Sequence, residues 1–313
     1  MPHNRHALLI VRTPFQAWLA RRVLDAEAVT SFDLVYLTQN NSVEDRYYFS
    51  QLHRNALKAQ YCYVPPQRPD ILNHLAFRIH TNRWYGDKTY QLVMLASIDA
   101  IVPNSLSAHH TGELITFDDG SANISAASSY RADTPSLRTS IYRRLFGARS
   151  VSAMCNRVLR HYTLHPDLEN IVGRERLVAI KGWGTGVANS EGGLPTKFFI
   201  GQPLSTTLSM GQLEKLSAYM SNQNLHYYIR HPRESTLVLE GTALLDKKGR
   251  IAEDAILNAS KNTPVHVLGW FSSTLLNLRQ TEIRRTMVLF RDDARTPTMA
   301  ELGRRTGCEI VLI

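Results

Sequence analysis

Short apolar runs alternate with amphipathic segments along most of the chain. The first apolar run, residues 7–11, precedes Thr13-Pro14. This pair is typical of a helix start, because threonine caps helices and proline suits the first helical position. The helix that follows is expected to extend to Ala26. Its apolar face would consist of Trp18, Leu19, Val23 and Leu24.

The same pattern predicts further strands and helices. Strands are expected at residues 32–38, 60–64, 90–96, 113–117, 177–180, 197–200, 225–229, 265–268, 287–290 and 309–312. Helices are expected at residues 47–59, 210–223, 250–260 and from 272 onward. Short buried strands that alternate with helices are typical of parallel β-α-β units, so the sequence predicts an α/β fold.

The alternation pauses between residues 131 and 195. An arginine-rich segment, 131–165, is expected to be helical, and the glycines from Gly182 to Gly193 are typical of turns and linkers. A junction in that run gives an N-terminal Rossmann-like domain, residues 1–190, and a C-terminal one, residues 191–313. We expect these two domains to face each other across a cleft, with ligands beyond the carboxyl ends of the strands.

The chain is basic, with 36 Lys and Arg against 27 Asp and Glu. Residues 131–160 contain seven arginines and one acidic residue, Asp133. The segment is either a solvated helix face or a contact for an anionic surface such as phospholipid. It does not interleave aromatic residues as a base-stacking surface does, so no nucleic-acid partner is expected.

The cysteines and the hydropathy of the chain indicate the cellular compartment of the protein. The three cysteines lack paired spacing, which disfavours a disulfide framework or a zinc site and favours a reducing compartment. The N-terminus does not have the pattern of a signal peptide, and no segment reaches the roughly 20 apolar residues that span a bilayer. We expect a cytoplasmic protein, soluble or peripheral at the inner membrane.

Three polar clusters follow predicted strands. Asp118-Asp119-Gly120 follows the strand at 113–117, where one carboxylate could act as a general base or simply cap the next helix. Arg230-His231-Pro232-Arg233 follows the strand at 225–229 and suits a leaving phosphate, although a surface histidine in a basic turn is the plainer interpretation. Ser272-Ser273, after the strand at 265–268, could bind an anion, cap a helix, or do both.

Taken together, a carboxylate from one domain and an imidazole and phosphate site from the other suit transfer of a group from a nucleotide. The absence of several sequence motifs narrows the range of enzyme classes. There is no GxxxxGK[ST] loop and no GxGxxG after the first strand, which disfavours P-loop enzymes and dinucleotide oxidoreductases. There is no Asp-x-Asp and no His/Cys cluster, so no catalytic metal is expected.

With these clusters placed, the sequence resembles the bacterial sialyltransferases of glycosyltransferase family 52, which include lipooligosaccharide α2,3-sialyltransferases. The most specific match is Thr-Phe-Asp-Asp-Gly-Ser-Ala-Asn at 116–123 followed by Ser-Ser-Tyr at 128–130. The other matching segments, in family order, are 12–16, 46–51, 95–97, 161–163, 201–203, 231–233, 251–254 and 271–273.

The resemblance implies a GT-B fold, CMP-sialic acid as donor, a galactose-ended glycan such as lipooligosaccharide as acceptor, inversion at the anomeric carbon, and no metal or other cofactor. On the donor side, it implies that His231 protonates or hydrogen-bonds the departing CMP phosphate. The implied donor-binding residues are Gly201, Gln202, Pro232, Arg233, Glu253, Ser272 and Ser273. Among them, Glu253 would bind the ribose hydroxyls and the two serines would hold the phosphate.

On the acceptor side, the resemblance implies that Asp118 and Asp119 face the acceptor hydroxyl. Gln16, Gly120 and Asn123 would line that side. Some family members place an Asp base directly after the Gly-x-Pro turn, but that position here is Leu204, which cannot take a proton. The base is therefore Asp118 or Asp119, or the donor and the chemistry differ.

A second departure is the missing N-terminal membrane anchor of some relatives, which the arginine-rich segment could replace by peripheral attachment. In the family that region can also form a dimer contact, so a homodimer is a further expectation. The competing functions are another nucleotide-sugar glycosyltransferase on the same scaffold, such as a glucosyl transferase using a UDP-sugar, and a non-catalytic nucleotide- or glycan-binding protein.

Overall fold

A computed structural model gives the fold of the chain. It describes residues 5–65, 70–85, 87–126, 128–131, 136–184, 194–234, 239, 241–260, 263–280 and 283–313. The chain forms two compact units, Met1–Ile180 and Lys181–Ile313. The domain junction expected between residues 190 and 191 lies outside the described residues.

The first unit is a parallel sheet with helical crossovers. Its strands are β1 (His6–Val11), β2 (Ser31–Thr38), β3 (Lys58–Tyr63), β4 (Leu92–Leu95), β5 (Glu113–Phe117), β6 (Val158–Thr163) and β7 (Leu177–Ala179). Its helices are α1 (Pro14–Ala26), α2 (Val43–His53), α3 (Asp70–Tyr85), α4 (Ile101–Ala108), α5 (Leu137–Phe146) and α6 (Val151–Arg157). The strand order is β3-β2-β1-β4-β5-β6-β7, and every pairing is parallel.

The second unit repeats this architecture with fewer strands. Its strands are β8 (Thr196–Ile200), β9 (Tyr227–Ile229), β10 (Val265–Gly269), β11 (Arg284–Leu289) and β12 (Glu309–Leu312). Its helices are α7 (Met210–Ser221), α8 (Ala252–Ala259), α9 (Ser273–Asn277) and α10 (Thr296–Arg305). The order is β12-β11-β10-β8-β9, again all parallel.

In both sheets the order in which strands are added reverses beside the first strand. In the first unit the chain builds β1, β2 and β3 outward, then returns to place β4 on the other side of β1. In the second unit β9 lies on one side of β8 and β10 on the other. At such a switch point the two loops leave the sheet in opposite directions and open a crevice at the carboxyl ends of the strands. Each unit therefore has one favoured place for a ligand.

Burial explains why the strands form. Leu8, Leu9, Val35 and Val93 are fully buried in the first sheet, and Phe198, Phe199 and Val267 are fully buried in the second. Strands of parallel sheets are covered on both faces, and they accordingly consist of nearly continuous apolar runs.

The predicted start and apolar face of α1 are confirmed. Thr13 caps the helix by accepting the backbone N–H of Gln16, Pro14 lies in the first turn, and the helix ends at Ala26. The four residues predicted for its apolar face are buried: Trp18, Leu19, Val23 and Leu24.

Two predictions of helical structure were wrong in extent. The helix expected at 47–59 begins at Val43 and ends at His53, and β3 begins at Lys58. The segment 131–165, expected to be helical, contains α5 and α6 but then continues as strand β6 from Val158. β6 forms because Val158 and Tyr162 are buried alongside β5, where pairing with a neighbouring strand outweighs local helix preference. In the part of the chain that the structure describes, no helix is long and apolar enough to cross a membrane.

Candidate active site

Asp118 ties strand β5 to strand β6. Its carboxylate is 1% exposed, and its backbone N–H donates to the Tyr162 carbonyl oxygen at 3.1 Å. Oδ2 accepts the Thr163 hydroxyl at 2.9 Å and the Leu164 N–H at 2.7 Å, and Oδ1 lies 3.1 Å from His161 Nε2. A buried carboxylate needs such partners, because an unsatisfied one is costly. Asp118 is thus part of the structural framework.

Asp119 lies in a different environment although it is the next residue. It is partly exposed, and three side chains donate to its carboxylate. Gln16 Nε2 donates to Oδ1 at 2.6 Å, while the Ser97 and Tyr130 hydroxyls donate to Oδ2 at 2.9 and 3.0 Å. A carboxylate offers about four lone-pair sites, so Oδ1 retains capacity for one more proton donor. The group is held in place and can still reach a ligand.

The hydrogen bonds around Gln16 fix the orientation of its amide. Its Oε1 accepts the Arg12 backbone N–H at 2.8 Å, so its NH₂ group must point the other way. Both protons of that group are used, one on Asp119 and one on the Ser97 hydroxyl at 2.8 Å. Gln16 follows β1 and Ser97 follows β4, so this network crosses the switch point of the first sheet.

Tyr130 remains a proton donor to Asp119. Burial, and then the negative charge of Asp119, raise the pKa of the Tyr130 hydroxyl well above its usual value. A phenol that stays protonated can only donate to the carboxylate, and this stabilises the Asp119 charge.

The turn after Asp119 depends on Gly120 and Asn123. Gly120 has φ of 58°, a left-handed conformation that costs glycine little. Asn123 is fully buried, and its Oδ1 accepts the Asp119 N–H at 2.6 Å. Both residues therefore shape the backbone that carries Asp119.

In the second unit, His231 begins a tight turn at the end of β9. The His231 carbonyl oxygen accepts the Glu234 N–H at 3.0 Å, and Pro232 occupies the second position, where its fixed φ is favourable. His231 Nδ1 accepts the N–H of exposed Arg233 at 3.1 Å. In the neutral ring the proton must then be on Nε2, which makes Nε2 the donor.

The buried Glu234 carboxylate holds the first residue of this turn in place. It is 3% exposed, accepts the His231 N–H at 3.1 Å and is hydrogen-bonded by the Tyr228 hydroxyl. Burial raises the pKa of the Glu234 carboxyl. Gly201 lies directly above it, and a Cβ at that position would come within 2.4 Å of Glu234 Oε2 and 2.6 Å of Tyr228 Cε1. Close packing alone therefore requires glycine at 201.

Gln202 links the two loops at the second switch point. It follows β8, and its Nε2 donates to the Phe271 carbonyl oxygen at 2.7 Å, in the loop that follows β10. That loop leads into Ser272, which is 6% exposed and caps α9 by accepting the Thr274 N–H at 3.3 Å. Ser273 is the first residue of α9 and is partly exposed.

Glu253 is buried on α8. It is 4% exposed, and its Oε1 accepts Asn277 Nδ2 at 2.9 Å. Burial raises the pKa of its carboxyl. Leu204 is 1% exposed in a short 3₁₀ turn, so it contributes to the core. Among the described residues, no group of three or more His, Cys, Asp or Glu side chains could hold a metal ion.

The structure gathers the sequence-selected residues at two edges. Gln16, Asp119, Gly120 and Asn123 lie together in the first unit, with Asp118 buried behind them. In the second unit His231 and Gly201 meet at Glu234, Pro232 and Arg233 follow His231 in the same turn, and Gln202 reaches the loop before Ser272. Sequence reasoning missed the contributions of Ser97, Tyr130 and Glu234. The first two belong to short matching segments, 95–97 and 128–130, whereas only the position of Glu234 in a His-Pro turn could have indicated it.

The sequence model of glycosyltransferase family 52 matches residues 30–291. The chain belongs to glycosyltransferase family 52. It is 27% identical over 286 residues to an N-acetyllactosaminide α-2,3-sialyltransferase of Neisseria meningitidis, covering 87% of this chain and 75% of that one. It is 25% identical over 295 residues to a CMP-N-acetylneuraminate:β-galactoside α-2,3-sialyltransferase of Pasteurella multocida, covering 93% and 92%.

Solved structures support the fold. The kitacinnamycin glycosyltransferase aligns over 100% of this chain and 86% of its own, with a TM-score of 0.55 and 10% identity. MurG of Acinetobacter baumannii aligns over 98% and 86%, with a TM-score of 0.52 and 10% identity. The expected GT-B fold of two Rossmann-like domains is confirmed.

The two aspartates should differ in their effect on stability. Asp118→Asn places an NH₂ group against the donors from Thr163 and Leu164 or against His161, which should cost about 1–3 kcal/mol. Asp119→Asn should cost less, because the Ser97 and Tyr130 hydroxyls can rotate to accept. Thermal unfolding of both variants checks this. Equal melting temperatures would contradict the structural role of Asp118.

Proposed function

We propose that the chain is an inverting sialyltransferase that moves sialic acid from CMP-sialic acid to a galactose-ended glycan, such as that of lipooligosaccharide, in α2,3 linkage. The observation that carries the proposal is the Asp119 carboxylate, which is partly exposed and held by Gln16, Ser97 and Tyr130 at the switch point of the first sheet. The names of the two family relatives indicate the donor, the β-galactoside acceptor and the linkage.

In the proposed reaction, the acceptor hydroxyl oxygen attacks the anomeric carbon of sialic acid. Its proton passes to Asp119 as the new carbon–oxygen bond forms. The bond from the anomeric carbon to the CMP phosphate breaks, and its electron pair leaves with the phosphate. His231, with its proton on Nε2, donates to that phosphate oxygen. Asp118 supports the strand end and does not touch the substrate.

The remaining residues receive binding and positioning roles. Ser272 and Ser273 hold the phosphate, with Gln202 fixing the loop that carries them. Glu253 takes the ribose hydroxyls, and Arg233 and Pro232 shape the turn beside the phosphate. Gly201 keeps that turn close to the sheet. Gln16, Gly120 and Asn123 position Asp119 toward the acceptor. In this proposal, the phosphate-binding side chains stabilise the negative charge on the departing phosphate, so the reaction requires no metal.

In this proposal, the enzyme meets its acceptor at a membrane surface. A glycolipid acceptor lies in a membrane, and the arginine-rich segment 131–160 would bring a cytoplasmic enzyme to the anionic inner-membrane surface. A homodimer through the same segment is the competing expectation.

Incubation with CMP-sialic acid and labelled lactose tests the function directly. We expect sialyl-lactose, detected by mass spectrometry with the α2,3 linkage read by NMR, and the same yield in EDTA. CMP should raise the melting temperature of the protein and UDP should not. Product from a UDP-sugar only, or no product with either donor, would refute the proposal.

Asp119→Asn tests the base. Transfer should fall at least about a hundredfold, the usual contribution of general base catalysis, because the amide cannot take the proton. The affinity for CMP should change little, since the proposed nucleotide-binding groups lie in the other unit. Asp25→Asn, an exposed helical position in the same unit, is the matched control and should keep full activity. A fully active Asp119→Asn variant would remove Asp119 from the role of base.

Ser272→Ala combined with Ser273→Ala tests the phosphate site. Hydrogen bonds to a charged group contribute about 1.5–3 kcal/mol, so CMP should bind at least about tenfold more weakly by calorimetry. Ser209→Ala is the control, because it also removes a serine helix cap in the same unit but at α7. If both variants bind CMP as the wild type does, the serines do not hold the phosphate.

A further inference from the structure

The Tyr130 hydroxyl lies among three oxygen acceptors. Its oxygen is 3.0 Å from Asp119 Oδ2 and 3.4 Å from the Ala96 carbonyl oxygen, and it also forms a hydrogen bond with the Asp99 carboxylate. A phenol has only one proton to donate. Tyr130 is 7% exposed, so the arrangement is largely out of contact with water. Asp99 and Asp119 therefore compete for the single proton of Tyr130.

The two carboxylates are close enough to interact electrostatically. Each hydrogen-bonds to the same phenol oxygen, so their nearest oxygens lie at most about 6 Å apart. Burial, and then the charges of Asp119 and Asp99, raise the pKa of the Tyr130 hydroxyl well above its usual value, so the phenol keeps its proton. A negative charge at such a distance disfavours the ionised form of a neighbouring carboxyl. Asp99 therefore makes Asp119 hold a proton more strongly.

The loop that carries Asp99 is fixed by helices α4 and α5. Asn104 on α4 is fully buried, and its Nδ2 donates to the Ile98 carbonyl oxygen at 2.7 Å. Arg143 on α5 donates from Nη2 to the Asp99 carbonyl oxygen, also at 2.7 Å. The same loop carries Ser97, which donates a hydrogen bond to the proposed base. Asp99 thus has a fixed backbone position beside the hydrogen bonds of the proposed base.

Two other charged groups border this arrangement. Arg143 faces Asp99 from α5: burial lowers the pKa of its guanidinium, and the Asp99 charge opposes that shift. Asp118 directly precedes Asp119, but its carboxylate is engaged on the β6 side, where its Oδ1 lies 3.1 Å from His161 Nε2. Arg143 therefore offsets part of the Asp99 charge, and the Tyr130 hydroxyl joins the Asp99 and Asp119 carboxylates.

We infer that Asp99 is a positioning residue for the general base: it competes for the Tyr130 proton and so makes Asp119 a stronger base. Before transfer, the Tyr130 proton points to the Asp119 carboxylate. Once Asp119 has taken the proton of the acceptor hydroxyl it is neutral, and the Tyr130 proton can turn to Asp99, which is still charged. No covalent bond changes in this turn. The inference rests on the proposed function for the identity of the base.

Two single variants should shift the pH dependence of transfer in opposite directions. The base must be ionised, so the rate falls as the pH decreases. Asp99→Asn removes a neighbouring negative charge, which should move this fall about one pH unit lower and reduce the maximal rate. Tyr130→Phe removes a donor to the ionised carboxylate, which should move the fall about one pH unit higher. The pH profile of kcat/KM with CMP-sialic acid and lactose measures both shifts.

Carbon-13 NMR of labelled aspartate carboxyls follows the same effect without substrate. The Asp119 signal, assigned by its loss in Asp119→Asn, should titrate at lower pH in Asp99→Asn and at higher pH in Tyr130→Phe. Asp87→Asn is the matched control, because it also removes one negative charge from the first unit. Asp87 precedes β4 whereas Asp99 follows it, so the two lie at opposite ends of that strand. The control should leave both measurements unchanged.

The conservative variant Asp99→Glu separates a role of the charge from a role in folding. It keeps the negative charge and should retain the wild-type pH dependence. Opposite shifts in Asp99→Asn and Tyr130→Phe, with Asp99→Glu unshifted, support the inference. Shifts in one direction for both variants, an unshifted Asp119 signal in folded Asp99→Asn, or an Asp99→Glu variant that behaves as Asp99→Asn does, would overturn it. Opposite shifts of the Asp119 signal in a protein that forms no sialyl-lactose would uphold the link between the two carboxylates and refute the proposed function alone.

Discussion

Burial of both faces of the two parallel sheets determines where this protein can place polar chemistry. β1, β4 and β5 have almost no exposed side chains, and neither do β8 and β10. Polar groups along these strands would be desolvated, so they concentrate where the strands end. The switch points determine which strand ends border a crevice: those of β1 and β4 in the first unit, and those of β8 and β10 in the second. Gln16, Ser97, Gln202 and the loop before Ser272 lie at those positions.

Asp118 and Asp119 show how adjacent identical residues acquire different roles. Asp118 is the last residue still held between the two strands, and the hydroxyl, amide and imidazole from β6 and its end satisfy its carboxylate. Asp119 is beyond the strand, where Gly120 turns the chain in a left-handed conformation. Its hydrogen bonds come from three separated segments and leave one edge of the carboxylate accessible. The difference between the two aspartates arises from the pairing of β5 with β6. The residues next to them in the sequence do not indicate it.

The sequence was sufficient for features that depend on local pattern. Thr13-Pro14 gave the start of α1, and apolar runs gave most strands of both sheets. Features that depend on distant contacts were not accessible. The hydrogen bond from Gln16 to Asp119 joins residues 103 positions apart. Glu234 matters because it accepts the His231 N–H and packs against Gly201, which precedes it by more than thirty positions. Strand β6 follows α6 directly, without a glycine or proline to mark the change. The start of α2 was missed although Ser42 and Asp45 form a capping box.

Leu204 bears on which residue can be the general base in the proposed reaction. Where some relatives have an aspartate after the Gly-x-Pro turn, this chain has a leucine that is 1% exposed and contributes to the core of the second unit. An acidic side chain there would have to be buried without the partners that Asp118 has, which would be costly. The second unit therefore contributes an imidazole whose Nδ1 accepts the Arg233 N–H, while the carboxylate best placed to accept a proton is in the first unit. In the proposed reaction, donor binding and acceptor activation can then change independently, because the hydrogen bonds around His231 and those around Asp119 each lie within one unit.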